Sequence, residues 1–237
     1  MNTYARNILF LFSFFLLGFF PVKALIIGPD LLAKCDNCGE EKALISIISG
    51  NTFGAVQWSD LYMEAPMLPS LSPIQRCNNC NSFFLIKKDG IRYSDDKSAQ
   101  ATDTGRMSFQ EIKKAIYLLN DSTLSEDDEY RARLEILQRF NDNFRGTSED
   151  DAETLNLVNQ EDWEIHKDNV KRLVKLLDAT NNAYIPLIAE FYREAKLFDE
   201  TLNILVDFTP FDDMKNFTQL VKEKAQNKDF KVFIWEE

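Results

Sequence analysis

Histidine is almost missing from this chain: His166 is the only one among 237 residues. That excludes a His-Glu-x-x-His metalloprotease helix, and no Gly-x-x-x-x-Gly-Lys phosphate loop or Gly-x-Ser-x-Gly nucleophile elbow is present either. Positive charge is also scarce. Lys and Arg total 27 against 38 Asp and Glu, a net charge of −11. Residues 25–100 carry seven basic against nine acidic side chains, and residues 101–237 carry 18 against 29. Neutralising phosphates requires a basic surface, so the balance argues against nucleic-acid binding and against adhesion to an anionic membrane. His166 follows Asp162 by one helical turn, a spacing that can share a metal, but with no third ligand in view the expectation is a surface or boundary histidine.

Cysteine is scarce too, yet organised. Cys35, Cys38, Cys77 and Cys80 are the only four, and they form two Cys-x-x-Cys pairs. Four thiolates delivered as two close pairs suit a closed tetrahedral Zn²⁺ with sulfur ligands at ~2.3 Å. Gly39 after Cys38, and Asn81 after Cys80, tolerate the left-handed turn that such a knuckle needs. Lys34 and Arg76 precede the pairs, where positive charge favours the thiolate. Two other readings stay open. One is structural disulfides; the other is a dithiol redox site, although neither pair opens an obvious helix.

Around the knuckles the pattern is of short strands. Residues 43–48 and 83–86 are apolar, Val56 and Trp58 alternate with polar neighbours, and Asp89-Gly90 predicts a hairpin joining 83–87 to 91–93. The fold class expected is α+β: a small N-terminal zinc-ribbon β domain over residues 25–93, with a long insert, followed by an α-helical, repeat-like domain over 108–237. Residues 94–107 are polar and aperiodic and read as a linker.

The insert carries SGNTFGA at 49–55, WSD at 58–60 and PMLP at 66–69. With the double Cys-x-x-Cys, these resemble a family of uncharacterised bacterial zinc-ribbon proteins with a helical C-terminal half. The resemblance covers residues 35–86; it implies a fold and no activity. Asn78 and Asn81 depart from the proline and glycine common in such knuckles. Phe53, Trp58, Asp60, Tyr62 and Met63 form either the mini-core of the insert or an exposed binding patch, for which the nearest ligand is the protein's own helical half. Asp60 and Glu64 beside Trp58 have a hydrolase look, with turn or rim residues as the default.

The N-terminus supplies a compartment. Arg6 precedes residues 8–20, an uncharged apolar run with six phenylalanines, and the small residue Ala24 follows. This is the pattern of a secretory signal peptide over residues 1–24, and the run is shorter than the ~20 residues that span a bilayer. Counting on through Leu25, Ile26 and Ile27 leaves an uncleaved anchor over residues 8–27 as the alternative. Export and zinc conflict, because exported cysteines tend to oxidise.

In the second half, Ser108 and Glu111 form a capping box, and Phe109, Ile112, Ile116 and Leu119 share one helical face. Ser125 with its acidic followers starts a second helix bearing Leu134, Leu137 and Phe144. Residues 148–151 start a third. Glu161 and Asp162 start another, which carries Val170, Leu173, Val174 and Leu177. The acidic clusters at 126–129 and 149–151 lack calcium-loop spacing and suit helix N-termini. Pro186 opens the next helix. Near residues 185–208, Ala189, Tyr192 and residues 198–202 resemble one tetratricopeptide repeat, with Thr201 in place of alanine; no second copy precedes it. Residues 230–235 alternate and read as a closing strand. The functional expectation is an exported, non-enzymatic zinc-binding scaffold with a protein partner. The alternative is an envelope enzyme, using the thiols for redox chemistry or the carboxylates for hydrolysis.

Overall fold

The computed structural model describes residues 25–94, 105–120, 124–146 and 158–235. The leader expected at 1–24, most of the linker and the helix expected at 148–151 lie outside the described residues. The described chain is mixed α+β: nine short strands come first, then six α-helices.

Four small antiparallel sheets make up the first part. Strand β2 (Leu31–Lys34) is central to one, between β3 (Glu41–Leu44) and β9 (Ile91–Tyr93). Strand β7 (Ile74–Arg76) pairs with β8 (Phe83–Leu85), and β5 (Val56–Gln57) pairs with β6 (Met63–Glu64). The fourth sheet pairs β1 (Leu25–Ile27) with β4 (Ile47–Gly50). Residues 43–48 therefore do not form one strand: they divide between two sheets at Ser46, whose carbonyl accepts the Gly28 N–H at 2.8 Å.

The hairpin expected at Asp89-Gly90 does not form. Residues Lys88–Gly90 make a single 3₁₀ turn, and β9 leaves to pair with β2. A two-residue hairpin there would need positive φ at its centre, and Gly90 is not among the positive-φ residues. The Lys88 N–H is instead taken by the Asp128 carboxylate at 3.0 Å, which tethers this turn to the helices.

The helices are α1 (Phe109–Ile112), α2 (Glu126–Asn141), α3 (Gln160–Leu173), α4 (Ile185–Glu194), α5 (Phe198–Ile204) and α6 (Lys215–Gln226). Helix α1 opens with the Ser108–Glu111 capping box and runs on into a 3₁₀ stretch, Lys113–Asn120. Ser125 caps α2 by accepting the Asp128 N–H, and Asn159 does the same for α3 through Asp162. Pro186 sits in the first turn of α4, where its missing N–H costs nothing. Thr201 of α5 is fully buried and donates to the Ala189 carbonyl at 3.2 Å, so the small-residue crossing of α4 and α5 is also hydrogen-bonded.

Helix α2 is buried on nearly every side from Ala132 onward. Its Phe140 ring lies at the centre of the main core. Phe109 and Trp163 meet it edge-on at 5.0 and 4.8 Å, and His166 stacks flat on it at 3.8 Å. Ile74 and Leu85 from the β7–β8 pair belong to this same core, which joins strands to helices without a break. His166 is thus fully buried rather than at the surface. Burial drives its pKa down to about 3. The Glu194 backbone favours the charged ring, yet neither ring nitrogen makes a hydrogen bond of normal geometry.

At the linker's end, Gly105 (φ +71°) packs so closely on Gln75 that a Cβ would lie 2.0 Å from its amide. The C-terminal segment closes back onto the insert. Ile234 bridges Trp58, the Ser59 N–H donates to the Phe233 carbonyl at 2.9 Å, and the Trp235 N–H donates to the Gln57 carbonyl at 2.8 Å. It is a single bridge, not a strand.

Candidate metal centre

Each cysteine pair begins where a strand ends: Cys35 follows β2 and Cys77 follows β7. The two turns are built alike. The Cys35 N–H donates to the Glu40 carbonyl at 2.8 Å and the Gly39 N–H returns to the Cys35 carbonyl at 2.9 Å. In the second turn the Cys77 N–H donates to the Ser82 carbonyl at 2.9 Å and the Asn81 N–H to the Cys77 carbonyl at 3.0 Å. Gly39 and Asn81 have φ of +78° and +61°. That left-handed position is free for glycine and tolerable for asparagine. The asparagine that departs from the usual knuckle therefore performs the same backbone task.

The turns face one another, and all four sulfurs lie within 4.8 Å. Cys35 Sγ is 3.7 Å from Cys80 Sγ, and Cys38 Sγ is 3.6 Å from Cys77 Sγ. A tetrahedron with ~2.3 Å metal–sulfur bonds has edges of about 3.8 Å, so the sulfurs stand close to the spacing that one zinc ion requires. Among the described residues this is the only grouping of three or more metal-capable side chains. Cys35 and Cys77 are buried, Cys38 is exposed and Cys80 lies between. The inner sulfurs belong to a small core with Leu44, Phe84 and Ile86.

A second layer was not foreseen. Asn37 Nδ2 donates to Cys80 Sγ at 3.6 Å and to Ser82 Oγ at 3.1 Å, while Asn79 Nδ2 reaches Cys38 Sγ at 3.9 Å. Each asparagine occupies the third position of its own Cys-x-x-Cys and serves a sulfur of the other pair. Donors of this kind hold thiolate ligands in place and temper their charge. The repeated asparagine was the available signal. Hydrogen bonds from the Ser82 side chain, the Ser82 backbone and Asn37 pull the Cys80 pKa down to about 5. At Cys38 the Glu40 backbone favours the thiolate, but neighbouring sulfurs and lost hydration outweigh it and push the thiol up to about 11.

The insert residues separate into two groups. Phe53 is 85% exposed and Met63 is 38% exposed, whereas Trp58, Asp60 and Tyr62 are buried. The five therefore do not share one exposed face. Asp60 and Glu64 do not pair either, because Glu64 is solvent-exposed and the Asp60 carboxylate is engaged elsewhere. Arg145 grips it with two parallel hydrogen bonds, one at 3.0 Å, and Asn141 Nδ2 donates to it at 3.0 Å. Its other oxygen bond, from the Tyr62 N–H at 3.2 Å, shapes a turn in which Leu61 adopts φ +64°. Three guanidinium groups surround the Tyr62 ring, those of Arg145, Arg106 and Arg139, at 4.5, 4.7 and 5.2 Å. Asp142 accepts from all three arginines.

Beneath Asp60 lies Glu194, fully buried at the end of α4. Asn141 donates to it at 2.9 Å and Ser59 Oγ at 3.4 Å. Burial, then the nearby carboxylates of Glu190 and Asp60, push its pKa well above the ordinary range, with Arg193 only partly opposing. Glu190 is held by Arg193, whose guanidinium donates to it at 2.5 and 2.7 Å. Its contacts between elements join residues 53 to 135 positions apart, a separation that hides it from any local motif. Its hydrogen bonds tie the insert, through Ser59 and Asp60, to the helices, through Asn141, Arg145 and Glu194.

Asp162 does not combine with His166. It is buried at the start of α3, where Lys113 Nζ and Gln110 Nε2 donate to it at 2.6 and 2.8 Å. No helix among the described residues is long and apolar enough to cross a membrane. No protein-family model, curated protein or solved structure matches the chain, and the reading of the site rests on its geometry.

Proposed function

We propose that this protein is an exported, non-enzymatic scaffold whose strand region is a zinc ribbon, held by one Zn²⁺ on Cys35, Cys38, Cys77 and Cys80. The carrying observation is the approach of the two knuckles, with sulfurs of opposite pairs 3.6–3.7 Å apart. Bound zinc would require four deprotonated sulfurs, and the asparagine and serine donors favour that state at Cys80. Four sulfurs close the coordination shell, so the ion would act as a fastener with no position for substrate. The resemblance to bacterial zinc-ribbon proteins, the tetratricopeptide-like α4–α5 pair and a protein partner bound by this rigid body belong to the same proposal.

A second reading has an observation of its own. If the exported cysteines oxidise, the nearest partners are Cys35 with Cys80 and Cys38 with Cys77, which would fasten the knuckles covalently. Metal and thiol content of protein purified from its native compartment separates the two. One zinc per chain, and four thiols that react only after chelation, is the expected result. Metal-free protein with no titratable thiol establishes the disulfide form. A dithiol that cycles under mild reductant would establish redox chemistry and end the scaffold reading.

A further inference from the structure

Beside the second cysteine turn lies a cleft of about 180 Å³, lined by Lys42 of β3, Arg76 of β7, Asn78, Arg106 and Glu111. Three cations there face one carboxylate, so the cleft is positive by two charges in a chain whose net charge is −11. Gly105, packed closely on Gln75, brings Arg106 and Arg76 to the same cleft. Lys42 Nζ donates to the Arg76 carbonyl at 3.3 Å, which ties β3 to β7 at this point.

Arg76 uses little of its hydrogen-bonding capacity. Its guanidinium makes no hydrogen bond to a described residue, and its Nε is buried without an acceptor. Glu111 stands 3.7 Å from Nη1, and the Glu111 carboxylate already accepts from the Ser108 N–H and Oγ at 3.1 and 2.9 Å. A half-exposed pair at that distance contributes little. The Phe83 ring lies under the guanidinium, with its centroid 5.2 Å from the central carbon, and steadies the plane of the fork. Asn78, which departs from the proline common in such knuckles, is exposed, and its amide makes no hydrogen bond to a described residue. Asn37 and Asn79, by contrast, both serve sulfurs.

We propose that this cleft binds one phosphate dianion, with the Arg76 fork as its main partner, the Asn78 amide as a second donor, and Lys42 and Arg106 supplying charge. A planar guanidinium pairs with phosphate through two parallel hydrogen bonds. A phosphate monoester carries about 1.5 to 2 negative charges at neutral pH, close to the excess of the cleft. A carboxylate would neutralise only half of that excess. One such site is far from the basic surface that a nucleic acid requires, so the acidic balance of the chain does not oppose it. The proposal goes beyond the metal-held scaffold and does not depend on it.

The test titrates the purified full chain with inorganic phosphate and, separately, with glycerol 3-phosphate, read by calorimetry. Sodium chloride at about 0.15 M screens exposed charges beyond roughly 8 Å, so only a close contact survives. One saturable site per chain is expected. Arg76→Gln should weaken it about tenfold or more, and Asn78→Ala, at an exposed position, about two- to tenfold. Glu111→Gln should tighten it, because glutamine keeps the capping box and removes the opposing charge. Should Arg76→Gln not fold, the other two variants decide. Affinity for the ester equal to or above that for the free ion assigns a phosphate carried on a larger molecule, and binding of inorganic phosphate alone assigns the free ion. No saturable binding overturns the proposal, as does an affinity unchanged in Arg76→Gln or in Glu111→Gln. Displacement by equimolar sodium acetate also overturns it, since a site for any anion lacks the charge match.

Discussion

The two knuckles and the insert between them are both pinned by residues far apart in sequence, but by opposite means. The knuckles converge as four sulfurs, a group with no cation of its own, and their inner core is small. The insert brings a carboxylate, Asp60, to cations that the helices already provide, Arg145 above all, and closes the contact with Tyr62 among three guanidinium groups. The first junction would take its positive charge from the proposed zinc; the second is complete within the chain. The lesson is that metal loss and charge substitution should loosen different parts of the same molecule.

The largest effect expected is chelation of the proposed zinc, or Cys77→Ser. Structural zinc sites contribute about 10–16 kcal/mol at neutral pH, more than the total stability of many domains. Strands β2, β3 and β7 should lose hydrogen-exchange protection while α2–α4 keep theirs. Equal protection with and without chelator would show that the sulfurs need no ion.

Next comes Asp60→Ala, which removes the two-point partner of the buried Arg145 guanidinium and leaves it only Asp142. Breaking a buried pair from one side costs about 3–5 kcal/mol. Denaturant unfolding should report a loss of that order, with metal content unchanged. A loss under 1 kcal/mol would mean that water reaches the junction and screens it.

The pH profile separates two of the buried titratable groups of the helical half, His166 and Glu194, whose shifts have opposite sign. The His166 pKa is depressed to about 3, so the neutral ring is the folded form. Stability is complete above the ordinary histidine value near 6.5 and falls as pH drops toward 3, because only the unfolded chain takes up the proton. Glu194 has the reverse sign. Its raised pKa gives stability that is complete below the ordinary carboxylate range and lost as pH rises through the raised value. His166→Phe, which keeps the stack on Phe140, should flatten the acid limb of a melting-temperature profile. Glu194→Gln should raise the melting temperature at neutral pH and flatten the alkaline limb. Unchanged limbs in both variants would place the pH dependence elsewhere.

The smallest effect expected is from the double variant Asn37→Ala, Asn79→Ala. Outer-shell partners of metal sites are worth about 10- to 100-fold in affinity, and these two donate at long range, 3.6 and 3.9 Å. Competition with a zinc chelator should show a loss near tenfold, and no loss would make the asparagines mere turn formers.

The residues that were legible are those whose task is local. Gly39 and Asn81 announce the left-handed turns after each cysteine pair, Ser108 and Ser125 announce helix starts, and Pro186 announces a first turn. Asp89-Gly90 misled, because the same dipeptide fits a 3₁₀ turn once Asp128 claims the Lys88 N–H and β2 offers a free edge to β9. His166 misled for a similar reason. A polar residue on a helix reads as a boundary residue until a flat ring, here Phe140, is found beneath it.

What the linear chain determined alone is the inventory and its spacing: two matched cysteine pairs, an acidic balance, a charge-free stretch around the insert, and helices with marked ends. These depend on neighbours within a turn or two, where backbone geometry and period leave little choice. Only the tertiary structure decided that the two pairs meet, that Asp60 belongs to Arg145 rather than to Glu64, and that Glu194 lies buried beneath them. Such pairings join residues from tens to more than a hundred positions apart, and shared burial, not sequence distance, is what gives each buried charge its partner.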